Sequence, residues 1–163
     1  MMVSRSTHLY LAVVMLAAVP VTGLAADPAG NEWLEDESGE FVLLYYGSKD
    51  DLPGNGPLTL LCNNAKKHVS FTFLHEEGAQ AGAPPSVTLS AGDAKASLTG
   101  IIARPDETGR TFFETFVEGV KPVVAVLQAP GALTVKLGEK STIFPEKGRA
   151  AAADQFAKAC KVE

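Results

Sequence analysis

The stretch His68 to Leu74 (HVSFTFL) alternates without a break. Val69, Phe71 and Phe73 fall on one side of an extended chain, and His68, Ser70 and Thr72 on the other. A period of two belongs to a strand with one buried face and cannot be laid on a helix. Other short β-rich runs surround it: Glu40 to Tyr46, Leu58 to Cys62, Val87 to Leu89, Lys95 to Ile102, Thr111 to Val117, Leu133 to Leu137 and Ser141 to Phe144. Gly, Pro, Asn and Asp punctuate them, as in Ser48 to Gly56 (SKDDLPGNG), Asn63 to Lys66 and Arg104 to Arg110. Gly100 marks a bulge within its run. Pro122 to Gln128 reads either way: Pro at its start suits a helix, its valines a strand. Gly148 to Cys160 is alanine-rich and helical by propensity. Ala152, Phe156 and Cys160 share one face of that helix at i, i+4 and i+8, so Phe156 is expected to dock on the sheet. Many short strands and one terminal helix predict a mainly β fold, an antiparallel β-sandwich or partly closed barrel with a C-terminal helix.

The first 26 residues read as a secretory signal peptide. Arg5 supplies the positive start, Leu9 to Val21 the apolar stretch, and Gly23, Ala25 and Ala26 the small residues before Asp27. Residues 27–163 are then a single β-rich domain, periplasmic or secreted. Removing residues 1–26 takes away Arg5 and moves the net charge from −5 to −6. Such a chain, without a basic run, excludes nucleic-acid binding through phosphate contacts. No later apolar run reaches the roughly 20 residues of a membrane helix. Cys62 and Cys160 are the only cysteines. In an oxidising compartment a lone pair without a CxxC spacing is expected to form a structural disulfide, tying the helix to the Leu58–Cys62 strand.

Asp27 to Glu40 reads as a polar, acidic lead-in, with Glu35, Asp36 and Glu37 as a solvated charge run. Trp33 anchors it at the edge of the core, the other reading being a stacking surface for a ligand. No GxSxG, P-loop, GxGxxG, HExxH or EF-hand pattern is present. Asp50, Asp51 and Asn55 lack the ordered ligand set that calcium requires. His75 beside Glu76 and Glu77 reads as a solvated loop, so neither metal nor cofactor is expected. These features point away from catalysis and towards binding through loops on a rigid sheet. The candidate contact residues are Tyr45, Tyr46, Asp50, Asp51, His75, Glu76 and Glu77, with the loop from Glu76 to Pro85. Alternation of Tyr45 and Tyr46 would place one inside and one on the surface.

In sequence order the chain offers Trp33, a strand ending in Tyr45-Tyr46-Gly47, an LxLxC strand (Leu58, Leu60, Cys62), the alternating strand, and a terminal FxxxC helix (Phe156, Cys160). Over residues 33–160 this order resembles small, largely uncharacterised periplasmic β-sandwich proteins of alphaproteobacterial type. It is remotely similar to the invasion-associated locus B family and to periplasmic accessory proteins of type VI secretion, which also finish in a helix with a late cysteine. The resemblance implies an exported β domain and supplies no catalytic residues. The function expected is non-enzymatic: an exported binding or envelope-accessory protein with an unknown protein or envelope partner. Two alternatives stand beside it. One is an inhibitor of a lysozyme or protease, since an acidic surface attracts a basic enzyme. The other is a small hydrolase built on His68 or His75.

Overall fold

A computed structural model describes residues 30–75 and 84–161. Residues 1–26, read above as a signal peptide, and Glu76, Glu77 and most of the Glu76–Pro85 loop lie outside the described residues. Four strands follow one another as hairpins: β1 (Asn31–Ser38), β2 (Phe41–Ser48), β3 (Leu58–Asn63) and β4 (His68–His75). Then come β5 (Ser86–Ala91), β6 (Ala94–Thr99), the two-residue β7 (Ile101–Ile102) and β8 (Thr111–Phe116). Helix α1 (Lys121–Gln128), strands β9 (Leu133–Leu137) and β10 (Lys140–Phe144), and helix α2 (Arg149–Ala159) complete the order. One sheet runs β1-β2-β3-β4-β8-β7 and the other β10-β9-β5-β6, with every pairing antiparallel. The two sheets face each other without closing, so the expected sandwich forms and the barrel does not.

The period of two sets the core. Val69, Phe71 and Phe73 point inward from β4, and the register places Cys62, Leu60 and Leu58 of β3 opposite them. Val42, Leu44 and Tyr46 continue this layer on β2, with Trp33 on β1 and Phe113 on β8. The second sheet answers with Val87, Leu89, Leu133 and Val135, all fully buried. Each such side chain contributes about 1.5–3 kcal/mol by leaving water, against the entropy of ordering it. At one margin Trp33, Tyr46, Phe73 and Phe144 pack as tilted and edge-on rings with centroids 5.3–6.3 Å apart. Trp33 Nε1 donates to the Pro145 carbonyl at 2.7 Å, so the indole seals β1 against the end of β10. Trp33 is a core residue, not a stacking platform.

Two expectations need correction, and one left open is resolved. The lead-in is not an irregular segment: β1 pairs with β2 along its whole length, through a two-residue turn at Gly39-Glu40. Gly39 has a φ of +62°, the only positive φ in that turn, as in a type II′ hairpin. The run Lys95 to Ile102 is not one bulged strand. It breaks at Gly100, where the chain leaves one sheet and enters the other. A Cβ there would collide with the Glu114 carbonyl and stand 2.8 Å from Phe113 Cζ, so the crossing needs glycine. Pro122 to Gln128 resolves as a helix. Pro122 occupies its first turn, where a missing N–H costs nothing, and Val123, Val126 and Leu127 form a buried stripe.

Helix α1 packs on β5 and β6, and α2 on β1, β2 and α1. Ala152, Ala153 and Phe156 are the buried face of α2. Its last turn is held twice. Cys160 is bonded to Cys62 with the two Cα atoms 5.9 Å apart, and Asn64 Nδ2 donates to the Ala159 carbonyl at 3.1 Å.

Candidate binding face

The predicted contact residues do not form one site. Tyr46 belongs to the core cluster, and Tyr45 is buried too, although alternation turns it to the other side of the sheet. Neither tyrosine offers exposed area, which corrects that expectation. Tyr45 is covered because its strand neighbours across the register are Leu34 and Thr59, while its ring lies against Gly47. Burial raises the pKa of its phenol, and Asp36 and Glu32 raise it further. Asp50 and Asp51 are exposed, as expected, at the start of the β2–β3 connection. Ser48 fixes their backbone: its hydroxyl accepts from Asp50 N at 3.1 Å, and its carbonyl from Asp51 N at 3.3 Å. His75 ends β4 opposite Thr111. Glu76 and Glu77 lie outside the described residues. His68 meets Phe116 edge-on at 5.2 Å.

The β2–β3 connection folds back over the sheet. Gly54, at φ +80°, sits so close above Leu43 that a Cβ would stand 2.8 Å from Leu43 Cδ2. Thr59 Oγ1 donates to the Gly54 carbonyl at 3.0 Å. Arg110 Nη2 donates to Asn55 Oδ1 at 3.1 Å, and the guanidinium lies 5.5 Å above the Phe112 ring. This connection therefore roofs one end of the outward face and leaves the other end open.

Cross-strand partners share a face, so the register alone assembles the rest. One row runs Asp36, Leu43, Leu61, Ser70 and Phe116 across β1, β2, β3, β4 and β8. The next runs Leu34, Tyr45, Thr59, Thr72, Glu114 and Ile101. Leu34, Leu43 and Leu61 are half-buried. Phe116 is 69% exposed and Ile101 63% exposed, on adjacent strands. The outward face thus carries half-buried leucines on β1, β2 and β3 and exposed Phe116 and Ile101 on β8 and β7, with Ser70 and Thr72 of β4 between the two groups. Its charges are carboxylates: Glu32, Asp36 and Glu114 occupy outward positions, and no Lys or Arg does.

The sequence held a signal for this face that loop-centred reasoning missed. FVLLYY in β2 and LTLLC in β3 do not alternate, because Leu43, Tyr45 and Leu61 add apolar side chains on the second side. A strand apolar at both parities has two faces withdrawn from water. Among the described residues no group of three His, Cys, Asp or Glu could hold a metal ion, and no helix is long and apolar enough to cross a membrane.

Fold and site together define a two-sheet antiparallel β protein whose C-terminal helix is clamped by a disulfide. No family model, no curated protein and no solved structure matches the chain.

Proposed function

We propose that this protein is exported to the periplasm or beyond the cell, and works there as a non-enzymatic binding or envelope-accessory protein. One observation carries the binding role. A sheet needs a single buried face to fold, and the six-stranded sheet already has one. Its other face nevertheless keeps Phe116 and Ile101 in water, across Ser70 and Thr72 of β4 from the half-buried Leu61, Leu43 and Leu34. Large apolar side chains clustered outside the core mark contact surfaces. The export reading is supported by the signal-peptide pattern of residues 1–26 and by the pairing of the only two cysteines.

The test has two arms. The full-length protein is expressed in a bacterium, fractionated, and its N-terminus sequenced. A start near Asp27 in the periplasm or medium is expected, and an intact Met1 in the cytosol would overturn export. The oxidised protein is then used as affinity bait on envelope extract, with a reduced Cys62→Ser bait as control. One dominant partner that needs the oxidised fold is expected; no partner enriched on the oxidised bait would overturn the binding role. Stoichiometric loss of a captured enzyme's activity would identify the binding as inhibition.

A further inference from the structure

We propose that the outward face of the six-stranded sheet docks a cationic amphipathic segment of a partner protein. Its apolar side would lie on Leu61, Ile101 and Phe116, and its Lys or Arg side chains would meet Asp36 and Glu114. This rests on the binding role proposed above and names the kind of partner.

The argument is one of complementarity. Leu43, Leu61 and Phe116, with Ser70 among them, lie in one row that begins at Asp36 on β1, and Glu114 on β8 stands in the neighbouring row. The two bases that reach the roofed end are already paired: Lys49 with Glu32 at 2.6 Å, and Arg110 with Asp106 at 3.1 Å. Among the described residues no outward strand position holds a Lys or Arg to answer Asp36 and Glu114; the exposed Lys66 and Lys67 lie in the β3–β4 turn, beyond the end of the face. An anionic partner would bring like charges against the two carboxylates, and a second copy of this face would do the same. Anionic lipid headgroups are disfavoured for the same reason. A strand of eight residues spans about 26 Å, and a helix of about 17 residues covers the same distance. An apolar stripe flanked by basic residues is the form of such a helix.

The probe is a synthetic helical peptide of about 17 residues, with leucines on one stripe and lysines flanking it. A second peptide replaces the lysines by glutamates. Binding to the oxidised full-length protein is followed by calorimetry. Saturable one-to-one binding of the lysine peptide is expected, weakening as salt screens the charges. Glu114→Lys and Phe116→Ser should each weaken it about tenfold. Both residues are exposed, and unchanged melting temperatures would show that the variants fold. Equal binding of the glutamate peptide, or no loss in either variant, would overturn the proposal. So would a dimer in sedimentation that Phe116→Ser dissolves, which would give the face to a second copy. Binding to anionic vesicles lost in the same variant would give it to a membrane. Cross-links within the monomer from the face to residues 1–29 or 76–83 would give it to this chain itself. Envelope capture repeated with the Glu114→Lys bait separates the two ideas. A partner retained by that bait removes the face and leaves the binding role; no partner on either bait removes both.

Discussion

Asp106 shows how much one side chain can organise. It lies in the connection between β7 and β8, and its Oδ1 accepts from Thr108 Oγ1 at 2.6 Å, Thr108 N at 2.8 Å and Arg110 N at 2.9 Å. The Thr108 hydroxyl is the main cause that brings its pKa from 3.8 to about 2, helped by the two backbone N–H groups and by Arg110. The folded state thus prefers the ionised carboxylate, and this preference stabilises the protein above pH 4. It fades as pH falls from about 4 towards 2. Asp106→Asn should melt below the parent at pH 7, and the gap should close over that acid window when thermal scans are run as a pH series. Glu35 has the opposite sign. Burial raises its pKa above 4.5, with Glu37 and then Asp36 adding to the shift. Its charge therefore costs stability as pH rises through that region. Glu35→Gln should melt above the parent at pH 7, and the advantage should shrink below pH 4.5.

The elements show where local rules were overridden. The valines of α1 favour a strand, but the helix forms because its apolar stripe meets β5, β6 and α2. Leu127 near its C-terminal end is fully buried, and the last carbonyls of a helix have no partner within it. Arg149, fully buried, supplies the partners: Nε donates to the Leu127 carbonyl at 2.9 Å, and Nη2 to those of Ala129 and Gly131 at 2.5 and 2.8 Å. Burial lowers the guanidinium pKa, with Glu146 opposing, and Nη1 is buried with no hydrogen-bond partner among the described residues. Arg149→Leu should destabilise by about 3 kcal/mol or more, because charged hydrogen bonds are lost and carbonyls are left buried. Urea denaturation reads this directly. Strand β1 escaped sequence reasoning for a related cause. Trp33 and Leu34 are adjacent, so they point to opposite faces and show no alternation, while four acidic residues imitate a solvated tail. Only pairing with β2 makes it a strand. Gly100 looked like a bulge because sequence shows that a strand is interrupted, not that it changes sheets.

For the molecule as a whole, the fold class was legible because the sandwich core uses the strand signals that sequence carries best: alternation, Gly and Pro punctuation, and a terminal Ala-rich helix. The disulfide was legible because two cysteines allow one pairing. The outward face was not, since its residues come from six strands and meet only once the register is set. Opening the bridge tests how much the clamp matters. The two cysteines are 98 positions apart. For a loop of that size the chain-entropy account gives about 4 to 5 kcal/mol. Cys62→Ser with Cys160→Ser should shift the urea midpoint sharply downward, with a slope no smaller than the parent's because the unbridged unfolded chain exposes more surface, and an unmoved midpoint would show that the docked helix holds without its bridge.

The same bridge changes what it takes to destroy this molecule. Everything from β4 to α2 lies inside a covalent ring. The exposed residues Arg104, Pro105 and Glu107, an accessible place for a protease, lie within it. A single cut there opens the ring without dividing the molecule. Both pieces stay joined through Cys62 and Cys160, and they separate on a denaturing gel only after reduction. Release of a fragment from within the ring requires a second cut there.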